Sequence, residues 1–143
     1  MAALTADAIV DRVRSICISL PFQFIEADWD TFDRQPASNI DAVFRIPPPK
    51  SGTVIGGFSY MEDRTDTLEI WVARRHNQDF DTVRRQLIQD VHSLTAAVVR
   101  DGSVASGDYS VPDEGRGHEF GIEDGSEYVT LTLTLPVTYD AQL

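Results

Sequence analysis

The sequence lacks the features of secreted and membrane proteins. It contains one cysteine, Cys17, so an internal disulfide is impossible and a disulfide-stapled secreted scaffold is excluded. Its longest apolar runs are too short to span a bilayer, and its first residues, MAALTADAIVDRVRS, carry acids where a secretion signal would be apolar. We therefore expect a protein that is made in the cytoplasm and enters no membrane.

Basic residues are also scarce. The chain has 12 Lys and Arg against 23 Asp and Glu, a formal net charge of −11, and Lys50 is its only lysine. Proteins that bind nucleic acid neutralise phosphates with clustered bases, so this balance argues against a free nucleic-acid-binding surface. The imbalance is greatest in residues 101–143, which hold nine acids and only Arg116. The simplest explanation of this excess of acids is a solvated acidic loop. A more specific hypothesis is a surface that repels polyanions.

Motifs of catalysis and cofactor binding are missing as well. His76, His92 and His118 are far apart in sequence and lie in no HExxH frame, and no cysteine pair exists to hold zinc. The stretch VIGGF at 54–58 lacks the spacing of a dinucleotide loop, and RDGSVASGD at 100–108 resembles neither a P-loop nor a nucleophile elbow. The acidic segment around His118 could suggest a metal-binding site, but glycine-rich acidic loops are usually only solvated. We expect no catalytic residue, no metal and no cofactor.

The sequence does contain two stretches with helical spacing of apolar residues. The first follows a capping residue, Thr5, and ends at Pro21; the second covers about 20 residues, with Arg100 in its last turn and Gly102 as its terminator. The two apolar stripes consist of Ile9, Val13, Ile16, Cys17 and Leu20, and of Phe80, Val83, Leu87, Val91, Leu94 and Val98.

Strand-like alternation separates and follows the helices. IDAVFRI at 40–46, GGFSYME at 56–62 and TLEIWVARR at 67–75 predict three strands, and EDRTD at 62–66 predicts the hairpin turn between the last two. After two further short runs, the stretch EYVTLTLTLPVTYD predicts a strand of about 11 residues that pairs centrally over 127–135. Because Pro136 has no N–H group, we expect its end of the strand at an edge or bulge.

The order of these elements predicts a single domain over residues 1–143 with an α+β fold, in which two helices pack on one face of a mostly antiparallel β-sheet. The stretch PDEGRGHEFGIEDGSE at 112–127 predicts an acidic hairpin or loop that protrudes near the C-terminus.

Two sets of residues are candidates for contacts with a partner. Four arginines bracket the turn before the second helix, where they could bind a partner's carboxylates or a phosphate, or simply pair with Asp79, Asp81 and Asp90. Two aromatic residues lie in the irregular stretch 21–39 and could either cover the edge of the core or form a contact surface. These six candidate subunit-contact residues are Arg74, Arg75, Arg84, Arg85, Trp29 and Phe32.

The segment TDTLEIWVARRHNQDFDTVRRQLIQDVHSLTAAVVRDG, followed by YVTLTLTLPVTYD, resembles the tail terminator and tail-completion proteins of long-tailed bacteriophages and gene transfer agents. In that family a strand leads into a long helix and a terminal hairpin closes the sheet. The resemblance implies a structural virion protein of the tail and neck region, not an enzyme. It implies a hexameric ring, assembled in the host cytoplasm, that caps the tail tube protein, stops its growth and meets the head-completion adaptor, while DNA passes through without specific binding.

A channel that passes DNA should not bind it, so acids of the last third of the chain are expected to line the channel. The candidates are Glu114, Glu119, Glu123 and Asp124.

Two alternatives to a tail terminator stay open. Another head–tail connector or a tail tube subunit would form rings by the same logic. A small α+β ligand-binding or enzymatic domain would line a pocket with aromatic residues and use an acid or base beside it, from the set Trp29, Phe32, Tyr60, Trp71, Asp28, Asp30 and His92.

Overall fold

A computed structural model describes residues 5–19, 22–26, 42–58, 61–75, 80–121 and 128–142. These residues form two α-helices, a π-helical turn and seven strands of one sheet: α1 (Ala6–Ile18), β1 (Ile25–Glu26), β2 (Ala42–Arg45), β3 (Lys50–Phe58), β4 (Met61–Arg75), α2 (Phe80–Arg100), the π-helical turn (Asp101–Ser106), β5 (Tyr109–Ser110), β6 (Gly117–Gly121) and β7 (Tyr128–Gln142). Both helices pack on one face of the sheet, which is antiparallel except for the β1–β2 pair. The predicted α+β class is confirmed.

Two strands of 15 residues each, β4 and β7, form the centre of the sheet. They pair without a register shift from Met61 opposite Gln142 to Arg75 opposite Tyr128, a length of about 50 Å at ~3.3 Å per residue. The long C-terminal strand is therefore confirmed. It extends beyond the predicted residues and pairs with β4 on one side and with β5 and β6 on the other.

The strands that flank this central pair are each broken into two halves near prolines. On one side β2 pairs with residues 71–74 and β3 with residues 61–67, and the three prolines of 47–49 lie between them. On the other side β6 pairs with residues 130–134 and β5 with Thr138 and Tyr139. Pro136 lies in the interval between these two pairings. The prediction of an edge or bulge at its end of the strand is wrong, because residues 136–142 continue to pair with β4 in the same register and Thr138 and Tyr139 also pair with β5.

The hairpin turn predicted at 62–66 is wrong. These residues belong to β4, and the chain reverses between Phe58 and Met61, which are paired partners. The turn-like composition is overridden by cross-strand contacts with β7, because the Asp66 carboxylate accepts a hydrogen bond from the Tyr139 hydroxyl and Thr65 bonds to the hydroxyl of Thr138.

The helices form where the apolar stripes predicted them. Thr5 caps α1 by accepting a hydrogen bond from the Ala8 N–H at 3.2 Å, and the stripe of α2 is buried from Val83 to Val98. These side chains meet one face of the sheet, where alternate residues of β4 and β7 are buried. The facing residues of the two strands are Leu68, Ile70, Val72, Val129, Leu131, Leu133, Leu135 and Val137.

The structure ends α2 at Arg100, which confirms the predicted last turn, but the predicted role of Gly102 as the terminator is wrong. The chain continues from α2 into the π-helical turn, and Gly107, at φ +70°, supplies the left-handed residue that ends it. Gly102 has a different role, because Tyr109 packs against it. A Cβ atom at position 102 would lie 2.5 Å from the Tyr109 ring and 2.6 Å from the Tyr109 carbonyl oxygen.

Of the predicted acidic hairpin, the structure describes the two strands, β6 and β7, but not the residues that join them. Strand β6 pairs with the first part of β7, from Gly121 opposite Thr130 to Gly117 opposite Thr134. Residues 122–127, which join the two strands, lie outside the described residues, so the acidic projection stays a prediction.

Candidate assembly surface

Beyond its first turn, in which Asp81 is exposed, the solvent-exposed side of α2 carries basic and neutral side chains. We define the α2 outer face as Arg85, Gln89, His92, Ala96 and Arg100, which are all exposed and recur at spacings of three and four. Arg85 and Arg100 form no ion pair within the described part of the chain. In a protein of net charge −11, this face therefore carries a local charge of the opposite sign.

The predicted contact arginines are in four different environments. Arg74 forms a bidentate ion pair with Asp90 at 2.6 and 3.1 Å, so its charge is engaged within its own subunit. The Arg84 guanidinium lies 5.0 Å above the centre of the Phe120 ring and connects α2 to β6. Arg75 is half-buried on β4, and Arg85 is exposed. Trp29 and Phe32, the other predicted contact residues, lie outside the described residues.

The structure predicts that Arg74 stabilises the fold whereas Arg85 does not. Arg74→Ala leaves the Asp90 carboxylate, 14% exposed, without its charged partner, so we expect the free energy of unfolding to fall by about 2 kcal/mol. Arg85→Ala removes an exposed side chain and should change it by less than about 0.5 kcal/mol. Urea denaturation of both variants measures the difference, and equal effects would contradict this assignment.

The second face of the sheet carries no described helix, and we call it the open face. It presents a ladder of half-buried polar side chains from alternate positions of β4 and β7: Thr65, Thr67, Glu69, Trp71, Thr130, Thr132, Thr134 and Thr138. The Trp71 indole N–H donates to the Glu69 carboxylate at 3.1 Å. A cleft of about 490 Å³ lies beside these two residues and is also lined by His118 and Glu119. Val43 and Ala73, at one end of the face, are buried.

Two aspartates face each other at the other end of the open face. Asp63 of β4 and Asp140 of β7 are direct cross-strand partners, and neither forms an ion pair with a base of the described residues. A hydrogen bond to the Asp140 carboxylate, desolvation and its negative charge raise the pKa of Asp63 above its ordinary value. No local pattern in the sequence predicts this pair, because only the register of two strands far apart in sequence brings the two aspartates together.

The candidate channel acids are only partly described. Glu114, in the connection between β5 and β6, and Glu119, on β6, are both exposed, and their role in lining a channel stays a prediction. Glu119 is opposite Thr132 and projects from the open face. Glu123 and Asp124 lie outside the described residues.

A groove of about 400 Å³ runs between α2 and β6 and brings two histidines together. The ring centres of His92 and His118 are 6.3 Å apart, and apolar side chains, including Val99 and Leu133, form the rest of the lining. His92 and Trp71 lie on opposite faces of the sheet, so they do not share the pocket that an enzymatic alternative would require. Within the described ranges, no group of three His, Cys, Asp or Glu residues could hold a metal ion.

The one cysteine is not arranged as a nucleophile. Cys17 is fully buried in the core on the inner side of α1. Burial raises the pKa of its thiol to about 12, so the reactive thiolate form is suppressed near neutral pH.

Two buried tyrosines bind carboxylates, one between the two central strands and one where the sheet meets the end of the helical layer. The Tyr139 hydroxyl donates to the Asp66 carboxylate at 2.5 Å, and the Tyr109 hydroxyl lies 2.7 Å from the Asp101 carboxylate. Arg12 of α1 also binds Asp101 and stacks over the Tyr109 ring. Desolvation, followed by the neighbouring carboxylate, raises the pKa of both tyrosines above the ordinary value.

These raised pKa values predict alkaline unfolding. A folded-state pKa above the unfolded value of about 10 favours the folded protein below that pH, and this stability is lost as the pH rises above it. We therefore expect Tyr109 and Tyr139 to ionise only as the protein unfolds, so that part of the phenolate absorbance appears together with the loss of circular dichroism. In the variant Tyr109→Phe/Tyr139→Phe, the part of the phenolate absorbance that appears together with unfolding should disappear. Full ionisation of all four tyrosines while the protein stays folded would contradict the prediction.

No protein-family model matches the chain, and no curated protein matches it at a significant level. In the described part of the chain, no helix combines the length and apolar character needed to cross a bilayer. The functional proposal below therefore depends on the arrangement of the described residues and on the resemblance in layout.

Proposed function

We propose that this protein is a ring-forming structural protein of a phage-like virion that acts as a tail terminator. It caps the tail tube, stops its growth and joins the tail to the adaptor at the head or neck, leaving a channel for DNA. The observation that supports this best is the layout of the sheet. β4 leads into the long helix α2, β7 pairs along the whole of β4, and β6 pairs with the first part of β7 on its other side. This is the arrangement on which the resemblance to tail terminators depends.

The physical reason for assembly is that the described elements of one copy leave sheet edges and one sheet face without a partner among themselves. Among the described elements, β3 and β6 each pair on one side only, and the open face has no helix over it. Exposed edges of this kind invite pairing with other chains, and a closed ring satisfies them in a defined way. The resemblance to tail terminators implies that this ring is a hexamer, with the tail tube protein on one side and the head-completion adaptor on the other.

The acids of the last third of the chain fit a channel that repels DNA at contact range. Physiological salt screens such repulsion beyond about 8 Å, so only acids at the channel wall can act. We expect Glu114→Lys/Glu119→Lys to slow DNA passage while the ring still forms. Particles carrying this variant should be imaged and tested for DNA delivery. Intact rings with unchanged delivery would remove the channel-lining role of these two acids.

The assembly state of the purified protein tests the proposed function directly. A terminator should form single closed rings with a central hole, seen by light scattering after size-exclusion chromatography and by negative-stain microscopy. Filaments would identify a tube subunit instead. A monomer at every concentration that is strongly stabilised by a small molecule in a thermal-shift screen would contradict the proposal and favour the ligand-binding alternative.

A further inference from the structure

Two histidines meet between α2 and β6, and the proposed function does not use them. His92 lies on the exposed side of α2, and His118 lies on β6 opposite Leu133 of β7. The packing of α2 on the sheet positions His92, and the pairing of β6 with β7 positions His118. The fold therefore holds the two imidazoles near each other although they are far apart in sequence.

The distance between the two rings suits a shared metal ion. A transition metal binds an imidazole nitrogen at about 2.0–2.1 Å, so two rings on one ion have centres about 5 to 6.5 Å apart, from a tetrahedral to a linear angle. The observed separation of the ring centres is 6.3 Å. Neither imidazole forms a hydrogen bond or an ion pair within the described part of the chain. Both side chains are exposed, so a change of rotamer can turn a nitrogen of each ring toward the ion.

The groove around the two histidines selects the kind of ion. Its volume of about 400 Å³ leaves room for water molecules that complete the coordination. Imidazole nitrogen suits Zn²⁺, Cu²⁺ and Ni²⁺, whereas Ca²⁺ and Mg²⁺ need oxygen ligands. Among the described residues no carboxylate lines the groove, and Glu119, the neighbour of His118, projects from the opposite face of the sheet. The groove therefore favours a transition metal over a hard cation.

Arg116 also lines the groove, but its charge is engaged on the adjoining segment. The guanidinium forms an ion pair with Asp113 at 3.0 Å and donates hydrogen bonds to the carbonyl oxygens of Val111 and Pro112. The rest of the described lining, apart from the two histidines, is uncharged. The imidazoles are thus the groups of the groove that can bind an ion.

We propose that His92 and His118 together bind one divalent transition-metal ion, which bridges α2 and β6. The two neutral imidazole nitrogens are the protein ligands, and water completes the coordination. The site goes beyond the proposed function and does not depend on ring formation, because both ligands belong to one copy. Among the described elements β6 pairs with β7 alone, so a bound ion adds a second attachment for this strand and stabilises the folded protein by mass action.

Isothermal titration calorimetry with Ni²⁺, on protein without a polyhistidine tag, tests the site. We expect one Ni²⁺ per chain and no binding of Mg²⁺ under the same conditions. His92→Ala and His118→Ala should each weaken Ni²⁺ binding by at least about tenfold, since each removes one of two protein ligands. The matched control is His76→Ala, which removes the third histidine of the chain and should bind Ni²⁺ like the wild type.

Hydrogen exchange distinguishes a bridge from loose binding. Saturating Ni²⁺ should slow the exchange of β6 amide groups in the wild type but not in His118→Ala, and circular dichroism checks that each variant is folded. The inference is overturned if the wild type binds no Ni²⁺, if either single variant binds it like the wild type, or if binding leaves exchange in β6 unchanged. Equal loss of binding in His76→Ala would also overturn it. Ring formation is measured separately, so these failures leave the proposed function untouched.

Discussion

Gly102→Ala is expected to lower the free energy of unfolding by about 3 kcal/mol. The new methyl group would lie 2.5 Å from the Tyr109 ring and 2.6 Å from the Tyr109 carbonyl oxygen, closer than atoms can approach. The ring cannot simply move aside, because its hydroxyl is bound by Asp101 and the Arg12 guanidinium stacks on its face. The substitution should therefore loosen the contact between α1 and the end of α2.

Urea denaturation measures this effect, and Gly117→Ala is the matched control. A Cβ atom at Gly117 would meet no heavy atom within 4 Å, so this variant should unfold within about 0.5 kcal/mol of the wild type. If Gly102→Ala were as stable as Gly117→Ala, the close packing of Tyr109 on Gly102 would be wrong.

Tyr139→Phe is expected to lower the free energy of unfolding by about 2 kcal/mol at neutral pH, because a buried carboxylate loses a hydrogen bond. Asp66 is only 3% exposed and accepts the bond of the Tyr139 hydroxyl, and its other charged neighbour, Arg64, lies farther away at 3.6 Å. Removing the hydroxyl alone takes one hydrogen bond from a carboxylate that stays buried.

The double variant Asp66→Val/Tyr139→Phe distinguishes a lost bond from lost packing. It removes both polar partners and keeps the strand pairing, so we expect it to recover most of the stability that Tyr139→Phe loses. A thermodynamic cycle of the two single variants and the double variant measures the coupling. Additive losses would show that the hydroxyl and the carboxylate act independently.

The described part of the fold shows which kinds of pattern could be predicted. The stripe of α2, the cap at Thr5 and the alternation of β7 were found from the sequence, because each depends on residues close together in the chain. The extended structure of residues 62–66 could not be predicted in this way. Their acids and threonine are typical of a turn, but partners in β7 hold them in β4. The role of Gly102 was also predicted wrongly, since it is set by contact with Tyr109 and not by the residues next to it in sequence.

The candidate assembly surface was predictable to a smaller degree. The arginines before and within α2 were singled out, but their sequence does not show that Arg74 is engaged by Asp90 while Arg85 is exposed. No local signal pairs Asp63 with Asp140, or His92 with His118. Even so, the polar side of β7 could have suggested that its aspartate shares a solvent-facing surface.

The sequence by itself determined the elements: an amphipathic helix at the start, a second and longer one, and a long alternating strand at the end. It also determined the charge imbalance, because composition does not depend on the fold. Only the tertiary structure decided where charges of each sign gather. Pairing β4 with β7 over 15 residues in one register places acids on the side of the sheet away from the helices, while α2 turns its arginines outward on the other side. A shift of one residue would exchange the two faces of a strand, so burial of the apolar face selects the register and, with it, the charged surfaces.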